Sequence, residues 1–138
     1  MQLLFKAARL LNERAIGRIR DRTKKPVRTA HTSLLPHVDL EGTRLTDLAS
    51  RLGVTKQAAG QLVDELVVMG MLERVPDPID ARAKLVRFSK RGRAALFHGL
   101  GVLREIEDEL RAKLGDPKMR AFHDALASVV QWESVKDC

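Results

Sequence analysis

Residues 43–72, TRLTDLASRLGVTKQAAGQLVDELVVMGML, constrain the fold more than any other stretch of the chain. Two amphipathic segments meet across Gly53 with almost no linker. Thr46 is expected to cap the first, because its hydroxyl can accept from a free backbone N–H of the first turn. Leu48, Ala49 and Leu52 form its apolar face, and Gly53 supplies the left-handed residue that a tight stop favours. Thr55 is expected to cap the second segment two residues later. That helix should run to Met69 and stop at Gly70, with Ala59, Leu62, Val63 and Leu66 facing inward. Its outer face opens with Thr55, Lys56, Gln57, Gly60 and Gln61. Two short helices across a tight glycine turn predict a helix-turn-helix.

Such a pair also occurs as a plain packing hairpin with a polar outside. The segment after the second helix favours nucleic acid. Residues 72–75 and 84–89 have strand composition, with Val86 and Phe88 predicted inward and Leu85 and Arg87 outward. The two strands flank PDPIDAR, whose prolines and aspartates suit a bend. A hairpin directly after a helix-turn-helix is a wing. Arg82 and Lys84 stand at or near its tip, where a minor groove can receive a cation. Asp80 is expected to hold the Arg82 guanidinium in place. On the second helix, Lys56, Gln57 and Gln61 are residues that hydrogen-bond base edges in a major groove, and Thr55 can bond a phosphate.

Charge supports the same partner. The formal net charge is +7 and the sequence pI about 10.1, which points to nucleic acid or another anionic surface. Residues 1–30 alone hold nine Lys and Arg against two acids, whereas residues 94–138 are mildly acidic. The densest basic cluster is RIRDRTKKPVR, residues 18–28.

The rest of the chain reads as helix. Leu4, Ala8, Leu11, Ala15 and Ile19, widened by Leu3, Ala7 and Leu10, give residues 2–22 a broad apolar stripe, closed by Pro26. A shorter helix is predicted around 28–37, with Leu34 and Leu35 buried, and DLEG at 39–42 reads as a turn. Ser89 is expected to cap a helix of about 25 residues with leucines or isoleucine recurring to Leu114, roughly 40 Å long. Asp116 is expected to cap the last helix, with Pro117 at its first position and Met119, Phe122, Leu126, Val129 and Val130 on its apolar face. A chain of 138 residues cannot cover such faces at both ends by itself, so a second copy is the expected cover. The predicted class is mainly α with a small β-hairpin wing: a winged helix-turn-helix flanked by terminal dimerisation helices. One domain is expected over 1–138, with the DNA-binding core at 28–93 and a helical dimerisation region at 1–25 and 94–134.

Other classes lose ground on composition. No nucleophile elbow, phosphate loop or pair of carboxylates in a cleft is legible, so no enzyme and no cofactor is expected. His31, His37, His98 and His123 form no HxxxH pair, so no metal is expected. No apolar run reaches membrane-spanning length and no signal-peptide pattern opens the chain. The lone cysteine, Cys138, fits a reducing setting, so a soluble cytoplasmic protein without membrane contact is the expectation. A winged helix serving protein contacts alone is the other reading, and it leaves the outer face of 55–61 and the basic wing unused.

Residues 28–96 resemble the MarR family of bacterial transcription regulators. The resemblance is carried by the stretch from Arg44 to Leu96 and by the wing pattern D-P-x-D-x-R, here Asp77, Pro78, Asp80 and Arg82. Phe88-Ser89 and Gly92 come next, with Phe and Ser where Leu and Thr are usual. The resemblance implies a mostly helical homodimer that binds a pseudo-palindromic double-stranded operator, usually as a repressor, and often lets go when a small ligand or oxidant arrives. It places Thr55, Lys56, Gln57, Gly60 and Gln61 at the major groove, Arg82 in the minor groove, Asp80 behind Arg82, and Lys90 and Arg91 near phosphates. Some relatives sense peroxide through a cysteine in the first helix. This chain has none there, and the effector and its pocket residues are not legible.

Overall fold

The computed structural model describes residues 1–134; Cys138 lies outside the described residues. The chain divides into two compact units, Met1–Val102 and the remainder from Leu103 onward.

The first unit opens with α1 (Gln2–Thr23). It ends before Pro26: Lys24 turns left-handed at φ 56°, and its N–H donates to Arg20 O at 2.8 Å. Ala15 and Ile16 are buried, while Leu3, Phe5 and Leu10 are exposed. The single helix predicted at 28–37 is two pieces, α2 (Thr29–Leu34) and a 3-10 turn over Leu35–His37. Pro36 has no N–H to continue the α pattern. Leu34 is buried, but Leu35 is only half-buried.

A short strand, β1 (Thr43–Arg44), comes next, pairing with Val86 and Leu85. The pairing holds the backbone extended through Arg44, so α3 (Leu45–Leu52) begins at Leu45 with no side-chain cap. Thr46 therefore lies within the first turn and is not the cap predicted from sequence. Gly53 ends α3 as expected, left-handed at φ 65°. Thr55 caps α4 (Lys56–Val68), its hydroxyl oxygen accepting from Ala58 N–H at 3.1 Å. Gly70 follows with φ 75°.

Strands β2 (Leu72–Pro76) and β3 (Lys84–Phe88) form the hairpin. With β1 they make a three-stranded antiparallel sheet in the order β1-β3-β2, one strand more than the sequence reading allowed. Val86 and Phe88 face inward and are buried. They join Leu34, Val38, Leu48, Val63, Leu66, Met71 and Leu72 in one apolar core that locks α4 against the sheet.

Ser89 caps α5 (Lys90–Leu114) as predicted: its oxygen accepts from Gly92 N–H at 2.9 Å and its hydroxyl donates to Gly70 O at 2.6 Å. Here the backbones nearly touch. A Cβ built on Gly92 would lie 1.8 Å from Met71 O, so only glycine fits.

In the second unit the last part of α5 meets α6 (Asp116–Ser134) at Gly115, φ 80°. Met119 N–H donates to Gly115 O at 3.0 Å. Gly115 therefore stands at the cap position that the sequence reading assigns to Asp116, because the helical ladder starts one residue earlier. Met119 is buried, whereas Phe122, Val129, Val130 and Trp132 are exposed. No helix among the described residues is long and apolar enough to cross a membrane.

Candidate nucleic-acid interface

Helix α4 presents its first turns outward. Lys56, Gln57 and Gln61 are exposed, and Ala59, one step round the helix, is fully buried. Gln57, Gly60, Gln61 and Asp64 recur at three- and four-residue spacing and so share one face. That face borders an open recess of about 720 Å³, lined by Lys56, Gln57, Gly60, Gln61 and Asp64 with Leu45 of α3 and Arg74 of β2. The Arg74 Nη1 donates to Asp64 Oδ1 at 2.6 Å and closes the far wall. Thr55 uses its oxygen on the cap, which leaves its proton free to donate outward.

The wing is built differently from the sequence expectation. Asp77, not Asp80, organises it. Its carboxylate is buried, with Oδ2 accepting from Arg44 Nη2 at 2.6 Å and Nε at 2.8 Å. Oδ1 accepts from Ile79 N–H at 2.8 Å and from Asp80 N–H at 3.4 Å. The Ile79 N–H, then the Arg44 guanidinium, hold the Asp77 carboxyl below the usual aspartate value. Asp80 Oδ1 accepts from the backbone N–H of Arg82 at 3.1 Å. It thus fixes the Arg82 main chain, and among the described residues the exposed guanidinium has no acidic partner. An Asx turn satisfies the carboxylate locally, so it has no need to reach the side chain. Lys84 is exposed at the start of β3.

Lys90 and Arg91 are exposed on the first turn of α5. An Arg91 nitrogen lies 3.9 Å from a Cβ built on Gly70. Gly70 comes just after the end of α4, and Lys56 begins it, about 20 Å away at the helical rise. The structure therefore gathers Lys56, Gln57, Gly60 and Gln61 at one recess and sets Arg91 apart from them.

The far end of α4 is held by residues that sequence reasoning missed. Arg28 Nη2 pairs with Glu65 at 2.7 Å. Buried His31 accepts the Arg28 backbone N–H on Nδ1 at 3.2 Å, so Nε2 carries the proton toward Glu65 Oε2, 2.7 Å away. Arg28 first, then His31, hold the Glu65 carboxyl below the usual glutamate range. Lys25 Nζ donates to Met69 O at 2.7 Å. His31, which the sequence marks only as a non-ligand, is thus a structural clamp, and part of the 18–28 basic cluster grips α4. No local pattern announces partners more than thirty residues apart. No cluster of three or more metal-ligating side chains occurs among the described residues.

This geometry, two helices across Gly53 with a sheet-based hairpin after them, defines a winged helix-turn-helix. Residues 28–83 match the model of the MarR family. Its structural neighbours include RV1404 from Mycobacterium tuberculosis, at TM-score 0.79 and 23% identity, covering 96% of this chain and 90% of the other. Wild-type MarR from E. coli, in its apo form, matches at TM-score 0.69 and 21% identity over 91% and 96%. The transcriptional repressor CouR, solved bound to a 23-mer DNA duplex, matches at TM-score 0.69 and 23% identity over 93% and 89%. At these identities the likeness is one of fold. No curated protein sequence matches the chain. Proteins described as transcriptional regulators, from Thermotoga maritima and Pseudomonas aeruginosa, are among the other fold relatives.

Proposed function

We propose that the protein is a sequence-specific double-stranded DNA-binding transcription regulator, acting in the cytoplasm as a homodimer on a pseudo-palindromic operator. The observation that carries this reading is the exposed row Lys56, Gln57 and Gln61 on α4, backed by a fully buried Ala59 and flanked by a cationic wing. Gln side chains pair with adenine N6 and N7, and Lys with guanine O6 and N7, in a major groove. Thr55, Lys90 and Arg91 supply phosphate contacts, while Arg82 and Lys84 supply the wing's, with Asp80 fixing the loop behind Arg82. Exposed Leu3, Phe5 and Leu10 on α1, and exposed Phe122, Val130 and Trp132 on α6, support a second copy as partner. The CouR complex supports DNA as ligand and repression as the outcome, and relief by a small ligand comes with the family resemblance.

The test is fluorescence anisotropy on the DNA upstream of the protein's own gene, with salt varied. Affinity is expected to fall with salt at a log-log slope of about −0.9 per neutralised phosphate. Two protected half-sites about 10 bp apart are expected in a footprint. Binding that is flat in salt, or a footprint of one half-site, overturns the reading.

A further inference from the structure

The recess beside α4 has a mixed character that hydrogen bonding to bases does not explain. Its rim is polar: Lys56, Gln57 and Gln61 are exposed, and Arg74 is held by Asp64 at 2.6 Å. Its floor is apolar. Gly60 exposes bare helix backbone between Gln57 and Gln61, and the Leu45 Cδ2 methyl lies beneath it, 3.5 Å from where a Cβ on Gly60 would stand. Leu45 is only half-buried, so its outer surface lines the recess. An all-polar reading surface needs no such floor.

The major-groove edges of the four bases present nitrogen and oxygen groups, and one apolar group, the thymine 5-methyl. An apolar floor on a groove-facing surface therefore has one counterpart in DNA. We infer that the recess over Leu45 and Gly60 receives a thymine methyl, and that this contact selects thymine at one position in each half-site. The flanking glutamines fit the same assignment, because Gln57 or Gln61 can pair with N6 and N7 of the adenine opposite or adjacent. Asp64 contributes by keeping Arg74 against the wall, so that a guanidinium does not cover the floor. The inference rests on the DNA-binding reading and deepens it.

The experiment begins with selection of bound duplexes from a randomised library by the full chain. Each thymine of a selected duplex is then replaced singly by deoxyuridine, which removes only the methyl. Wild-type affinity is expected to drop about fourfold, the worth of one buried methyl, at one thymine per half-site and to hold elsewhere. Gly60→Ala supplies the protein-side test. Its new methyl meets only Leu45 Cδ2 at ordinary contact distance, and alanine is the better helix former, so the variant folds. It fills the floor, and the thymine-to-uracil ratio at that position is expected to fall to near one while the melting temperature does not drop. Uniform indifference to uracil in a duplex that still binds overturns this inference alone. So does an unchanged ratio in Gly60→Ala. Failure to enrich any duplex overturns the DNA-binding reading together with it.

Discussion

Arg44 and Asp77, 33 residues apart in sequence, close on one another at 2.6 Å at the base of the wing, with the Asp77 side chain only 5% exposed. Arg44 belongs to β1, at the threshold of α3, and Asp77 to the first residue of the wing loop. The pair therefore ties the wing to the helix-turn-helix at one point. Arg44→Ala is expected to weaken DNA binding several-fold, because a buried carboxylate loses its cation and the loop loses its tether. Lys at the same position restores it only in part, since it lacks the forked donor geometry. Anisotropy on one operator, beside thermal melts, checks this; equal affinity for wild type and Arg44→Ala contradicts it.

Arg82 and Asp80 separate along the same logic. The Asp80 carboxylate takes the Arg82 backbone N–H, so Asp80→Ala loosens the tip, whereas Asp80→Asn keeps the acceptor and is expected to behave as wild type. Arg82→Ala is expected to erase a preference for A·T-rich flanks and leave the central consensus intact, because narrow minor grooves attract the cation. Operators that differ only in their flanks measure both. Tighter binding by Asp80→Ala, as net charge alone dictates, sinks this account of the wing.

Gly92 has no room for a side chain beside Met71 O. Gly92→Ala must part α5 from the turn after α4, at an expected cost of about 1–3 kcal/mol or more for overpacking. The measurement is urea unfolding, with the midpoint shifted and the slope unchanged. A variant as stable as wild type contradicts the close approach.

Asp39 through Arg51, Glu65 through Arg28 and His31, and Asp77 through Ile79 N–H and Arg44 all have depressed pKa values. For each the folded value lies below the unfolded one, so the unfolded chain binds protons first as pH falls. Their stabilisation is complete above the ordinary carboxylate range, about pH 4, and is lost below it. Unfolding midpoints are expected to hold from about pH 7 to 5 and fall beneath. Glu65→Gln should flatten part of that fall, and an identical pH profile in the variant argues against Glu65's share.

Exposed Leu3, Phe5 and Leu10 on α1 predict a dimer. Leu10→Glu is expected to give monomers or insoluble protein, read by light scattering on the full chain. A soluble, folded wild-type monomer at micromolar concentration contradicts the homodimer.

Much of this was readable from sequence because it is local. Gly53, Thr55, Gly70 and Ser89 act within three or four residues, through backbone conformation and nearby N–H groups, and each does what its neighbours predict. The inward faces of α4 and β3 come from period alone, and the outward set Lys56, Gln57 and Gln61 is its complement. Tertiary structure decided the rest. Pairing with β3 moved the cap of α3 from Thr46 to Arg44. Arg44 found Asp77, Arg74 found Asp64, and Arg28 with His31 found Glu65, across spans that carry no periodic signal. Gly60 could be read as small and outward, but its role as the roof of Leu45 needed α3 and α4 in place. A cap is settled by the turn it closes; a long-range ion pair or a recess exists only once the core has fixed which surfaces meet.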